Sequence, residues 1–188
     1  MRTRLLAAAV LAAVALPQPA HAADADVTVE HLMYMPGKVT VALGDQVTWT
    51  FPEVTTHSTT SDQGFWDSGG RSGGATFVRT FPSAGTFPYH CTFHPTMHGS
   101  VKVPVAVTAP SEVKRVLRWS TAKAAAGITF DVQVKKGSRP WSDFRTDTTK
   151  PRASFRPADT TTSYKVRART TRNGTDSGWS KPVRITFA

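Results

Sequence analysis

The chain has 188 residues, a formal net charge of +10 and a single cysteine, which excludes an internal disulfide as the source of stability. Its basic charge is unevenly placed: residues 23–108 hold seven acidic and four basic side chains, net −3, whereas residues 109–188 hold six and seventeen, net +11. The high isoelectric point therefore belongs to the second half, and no nucleic-acid partner is expected.

The chain begins with a charged start, Arg2 and Arg4, an apolar run from Leu5 to Leu16 and the small-residue site Ala20-His21-Ala22. This is the pattern of a secretory signal peptide over residues 1–22, so the mature protein is expected to begin near Ala23 and to be secreted, periplasmic or held in the cell envelope. The apolar run is too short to span a bilayer, and no transmembrane segment is expected. Strands are expected over Val27 to Tyr34, Val39 to Leu43 and Gln46 to Phe51, the last with Val47 and Trp49 alternating inward. Residues 61–75 are rich in Gly, Ser and Asp and predict a loop around Phe65 and Trp66. Further strands are expected over Ala75 to Phe81, Gly85 to Cys91 and Gly99 to Val107, with no helix anywhere. Ala109-Pro110-Ser111 reads as an interdomain joint, which divides the mature chain into residues 23–108 and 109–188.

Chemistry concentrates in Tyr89-His90-Cys91-Thr92-Phe93-His94-Pro95-Thr96-Met97-His98-Gly99. A thiolate, an imidazole and a thioether within one turn suit copper, which binds the first two firmly and the third weakly. A lone cysteine is more often an inert buried one, but His94 and Met97 at ligand spacing favour metal ligation. The loop lacks a second imidazole, and His57 in Thr55-Thr56-His57-Ser58-Thr59 is its candidate donor. His90 follows strand alternation to the opposite face from Cys91, whereas His98 competes with Met97 for the axial position.

These motifs resemble those of the cupredoxins, the blue copper electron-transfer proteins, and the Cys-x-x-His-x-x-Met spacing is similar to the short ligand loop of the amicyanin group. The resemblance also rests on Met35-Pro36-Gly37-Lys38-Val39-Thr40-Val41, Gly44-Asp45-Gln46-Val47-Thr48-Trp49, Phe65-Trp66-Asp67-Ser68-Gly69 and Phe81 to Cys91, and it covers residues 27–105. It implies an all-β fold with a Greek-key β-sandwich and one type 1 copper ion cycling between Cu(I) and Cu(II). The implied ligands are His57, Cys91, His94 and Met97. It also implies a hydrogen bond from Ser58 toward the cysteine sulfur.

In the second half, Val116-Leu117-Arg118-Trp119, Phe130 to Lys135, Tyr164 to Arg169 and Ser177 to Val183 resemble the B, C, F and G regions of a fibronectin type III domain. Trp119 would be its core tryptophan and Tyr164 its corner tyrosine. Alternation then places Lys135, Lys165, Arg167, Arg169 and Arg184 on one outer face, a surface for an anionic cell-surface polymer or an acidic partner.

The expected function is electron transfer rather than enzyme catalysis, with a redox partner docking near His94. Two other readings stand beside it: copper storage, delivery or tolerance, and an extracellular adhesion module with a structural metal. The delivery reading draws on His31, Met33 and Met35, which share an outer face if Leu32 and Tyr34 point inward. The alternative packs the two methionines beneath the second domain.

Overall fold

The computed structural model describes residues 24–187, so the expected signal segment lies outside the described residues. Every regular element among them is a β-strand. The first, β1 (Ala25–Glu30), buries Val27 and Val29 by simple alternation and runs antiparallel to β2 (Met33–Met35). The single strand expected over residues 27–34 is therefore a hairpin. His31 and Leu32 both adopt positive φ, 50° and 57°, the backbone that a tight two-residue turn demands for strands of right-handed twist. Leu32 consequently sits exposed on the turn instead of facing the core, while Tyr34 is buried as expected. Met33 and Met35 are exposed and do not lie beneath the second half.

The chain continues through β3 (Lys38–Thr40), β4 (Gln46–Phe51), the short β5 (Thr60–Ser61), β6 (Ala75–Thr80), β7 (Gly85–His90) and β8 (His98–Val103). Between β3 and β4, Gly44 takes φ 95° and the Asp45 carboxylate accepts the Ala42 amide at 2.9 Å, which closes the turn. Two four-stranded sheets result, in the orders β2-β1-β4-β6 and β3-β8-β7-β5. The β1–β4 and β3–β8 pairs are parallel, and the remaining neighbours are antiparallel. Val47, Trp49 and Phe51 from one sheet meet Phe87, Tyr89, Val101 and Val103 from the other in a single apolar cluster. Each such side chain, withdrawn from water, contributes roughly 1.5–3 kcal/mol. Trp49 is at the centre, with its ring 5.5 Å from Tyr89 and 5.9 Å from Trp66.

The strand expected over residues 99–107 breaks after Val103, where Pro104 has no amide to continue the ladder. Strand β9 (Ala106–Ser111) then pairs with β10 (Lys114–Arg118), so the joint placed at Ala109 falls inside a strand of the second unit. The rest of that unit comprises β11 (Ile128–Lys136), β12 (Ser142–Thr148), β13 (Arg152–Phe155), β14 (Tyr164–Arg172), β15 (Thr175–Asp176) and β16 (Val183–Ile185). One sheet has the order β13-β10-β9; the other runs β12-β11-β14, with β15 and β16 both on β14. Leu117, Trp119, Phe130, Val132, Tyr164 and Val166 form the core between them. Trp119 is fully buried and donates from its indole to the Lys150 carbonyl at 2.7 Å, and Tyr164 donates its hydroxyl to the Asp159 carbonyl at 2.8 Å.

The two units share backbone hydrogen bonds as well as the chain between them. Thr86 and Gly178 exchange reciprocal N–H···O bonds of 2.8 Å, and the Ala84 amide donates to the Trp119 carbonyl at 2.8 Å. The buried Thr170 hydroxyl donates to the Ala84 carbonyl at 2.9 Å. Strand β7, which leads into the cysteine, is thereby braced at its start by the second unit.

Asp159 illustrates a charge-dependent contact of the second unit. Its carboxylate pairs with Lys136 at 2.7 Å and accepts from Thr161 and Thr162, and these partners hold its pKa well below the usual carboxylate range, the lysine foremost. A depressed folded-state pKa adds stability above the unfolded value, about 3.9, and loses it as pH falls through the folded one. An Asp159→Asn chain should therefore melt below the unaltered chain at neutral pH. The gap should close on acidification below about pH 4, as thermal unfolding across pH would record.

Candidate metal centre

Two donors from one turn and a third, 34 residues before the cysteine, converge at one end of the first unit. Cys91 follows directly on β7, and His94 lies in the turn between β7 and β8. This turn is closed by backbone bonds from the His94 amide to the Cys91 carbonyl, 3.4 Å, and from the Met97 amide to the His94 carbonyl, 3.0 Å. His57 arrives from the other side on the segment preceding β5, where it exchanges reciprocal backbone bonds of 2.9 and 2.7 Å with Arg71. Cys91 Sγ lies 3.5 Å from His94 Nδ1 and 4.0 Å from His57 Nδ1, and the two imidazole rings are 4.6 Å apart. The three donor atoms all lie within 4.8 Å of one another.

Burial separates the roles of the loop residues. His57 and Cys91 are buried, His94 is half-exposed, and Met97 is buried in the same apolar cluster as Cys91. His98, the rival for the axial place, is exposed at the start of β8. His90 turns away from the cysteine and meets Asp62 at 2.6 Å. Phe93, half-exposed, lies over Gly70, where a Cβ would come within 3.1 Å of its ring.

The surroundings of the sulfur fit a thiolate. Ser58 donates its backbone N–H to Cys91 Sγ at 3.3 Å, the hydrogen bond that the resemblance implies. The Ser58 hydroxyl accepts the Thr92 amide at 2.9 Å, which ties the His57 segment to the residue after the cysteine. Glu53 was not legible as a site residue. Its carboxylate approaches His57 Nε2 at 3.4 Å, on the ring edge opposite the sulfur, and also accepts the His31 amide. A carboxylate behind a ligating imidazole fixes ring orientation and tautomer and makes the ring a better donor. The only sequence cue is its place four residues before His57, and that spacing has no meaning outside a helix. His31 is thus drawn into a contact with Glu53 and stands apart from the three converging donors.

A cysteine sulfur and two imidazoles, with Met97 buried in the same cluster as Cys91, form a donor set that suits copper in both oxidation states. No protein-family model matches the chain, and no curated protein does. Among solved structures, the chain is similar to an oxidised amicyanin mutant at 30% identity, covering 42% of this chain and 79% of that one with a TM-score of 0.40. A reduced Cu(I) form of a second amicyanin mutant matches at 31% identity with the same coverage and TM-score. The Cu(I) form of a third matches at 31% identity over 46% of this chain and 86% of that one, TM-score 0.41. What decides the fold is internal: two four-stranded sheets with parallel β1–β4 and β3–β8 pairs, and a cysteine at the end of β7 facing a histidine carried in before β5. The first unit has a cupredoxin-like fold. In this cupredoxin-like unit the donor cluster occupies the end at which the β7–β8 turn and the segment before β5 come together.

Proposed function

We propose that the protein is an exported electron carrier whose type 1 copper is held by His57, Cys91, His94 and Met97. The observation that carries this reading is the convergence of Cys91 Sγ with the Nδ1 atoms of His57 and His94. Copper in such a site supplies one-electron chemistry, and a thiolate gives it an intense visible absorption. The chain's own residues hold the donors in place. Strand β7 and the amide bond to the Met97 carbonyl fix Cys91, the reciprocal bonds to Arg71 fix His57, the Ser58 amide withdraws charge from the sulfur, and Glu53 orients the His57 ring. A donor set held this firmly changes little between oxidation states, which keeps the barrier to electron transfer low. Four protein ligands also leave no open position for a substrate, unlike catalytic metal sites. Half-exposed His94 and its exposed neighbour Phe93 form the edge through which a redox partner would dock.

The second unit is read as a fibronectin type III-like accessory domain. Support comes from its two antiparallel sheets, the buried Trp119 and the Tyr164 hydroxyl bonded back to the chain five residues upstream. Its basic face would hold an anionic polymer or an acidic partner. The register sharpens that face: Lys135, Lys165 and Arg184 stand directly opposite one another across β11, β14 and β16. Like charges so aligned repel one another and favour a bound anion. Arg169 is instead paired with Asp131 and Asp176, and Arg167 lies between the rings of Trp141 and Trp179.

Electrochemistry of the copper-loaded chain tests the carrier reading: a reversible couple that retains its copper through repeated cycles supports it. Loss of Cu(I) to a chelating acceptor at each reduction would favour copper delivery, and preferred occupancy by redox-silent zinc a structural metal. Met97→Leu should keep the colour and raise the potential, because losing a weak axial donor disfavours Cu(II). An unchanged potential in Met97→Leu together with a shifted one in His98→Ala would move the axial ligand to His98.

A further inference from the structure

Between the two units lies an open cavity of about 460 Å³ that has no part in the metal centre. Phe81 and Phe87 wall it from the first unit and Phe130 from the second. Its size is that of a small-molecule site. Three cations, Arg79, Lys123 and Arg172, line it and no acidic side chain does. Arg172 donates to the carbonyls of Gly64 and Phe65 at 2.8 and 2.9 Å, which fixes its guanidinium at the cavity edge.

Arg79 is the unusual member. Its guanidinium lies 5.2 Å from the centre of the Trp66 ring and 5.7 Å from that of Phe81, and its Nε is fully buried without a hydrogen-bond partner. Among the described residues no carboxylate pairs with it. Burial, with Arg172 as a second cause, lowers its pKa from the usual guanidinium value. A buried donor left without an acceptor is costly, and a guanidinium is built to take a planar carboxylate with two parallel bonds.

We infer that this interunit cavity binds an amphipathic monocarboxylate, with the carboxylate on Arg79 and its apolar body among Phe81, Phe87 and Phe130. The inference is independent of the metal in the first unit. It assigns a role to the joining of the units, since neither half alone supplies both the guanidinium and the Phe130 wall.

Calorimetric titration of the intact chain with octanoate, octanamide and acetate tests it. Octanoate should bind at millimolar concentration or below, and the neutral amide and the short acid at least about tenfold more weakly, the difference expected of a charge-assisted bond and of apolar burial. Arg79→Met should weaken octanoate binding by about tenfold or more. Ala122→Trp, which fills the cavity from an exposed position on its rim, should abolish binding with the fold intact and remains informative if Arg79→Met does not fold. No binding of octanoate at millimolar concentration, equal binding of octanamide, or undiminished binding by either folded variant would overturn the inference.

Discussion

A Cys91→Ser chain supplied with Cu(II) should show none of the intense visible absorption expected of the unaltered protein. The colour requires charge transfer from a thiolate to copper, and a hydroxyl neither ionises in this setting nor bonds copper with comparable covalency. The fold should persist. Serine is the smaller residue, the Ser58 amide that donates to Sγ can donate to Oγ instead, and the cost should be about 1 kcal/mol, the usual scale for a single substitution. Absorption spectra beside a denaturant titration separate the two effects. A variant that stays blue would place the metal elsewhere, and one that fails to fold would show that Cys91 is chiefly a core residue.

Removing the histidines should have unequal consequences. His94→Ala opens a half-exposed position in the β7–β8 turn, and added imidazole should occupy it and restore the colour lost on substitution. His57→Ala instead leaves a closed hole, since the ring is wholly buried between the Arg71 bridge and Glu53. That chain should lose roughly 2–4 kcal/mol of stability from the cavity, and imidazole should not refill the site on the same timescale. Parallel titrations of the two apo-variants with Cu(II) and imidazole decide the matter. Recovery in His57→Ala but not in His94→Ala would reverse the geometry inferred for the centre.

The sequence made the all-β character, the cysteine loop and most strand positions plain, because period-two alternation and Gly-Asp or Pro punctuation act over a few residues. The strand Gln46–Phe51 and the burial of Val47, Trp49 and Tyr164 follow from that alternation, and the burial of Trp119 from the resemblance to a fibronectin type III domain. It failed where backbone geometry overrode apolar pattern. His31 and Leu32 look like strand residues, yet both take positive φ to form a hairpin, and Leu32 ends in solvent. Pro104 looked like a residue within a strand, whereas it separates β8 from β9, and Ala109 lies within β9. Within the metal centre, the Cys91, His94 and Met97 spacing was local and therefore visible. Glu53 was hidden because its contact with His57 depends on how the loop before β5 folds back. The interunit cavity was hidden for the same reason, since Arg79 and Phe130 carry no signal of proximity in the chain.

Titration of the metal-free chain, purified without residues 1–22, with Cu(II) while visible absorption is followed tests whether the chain holds one copper through a thiolate. Intense blue absorption should rise in proportion to copper, stop at one equivalent, vanish with ascorbate and return with an oxidant. A colourless complex at one equivalent, or colour that cannot be cycled, would rule out a redox-active, thiolate-bound copper.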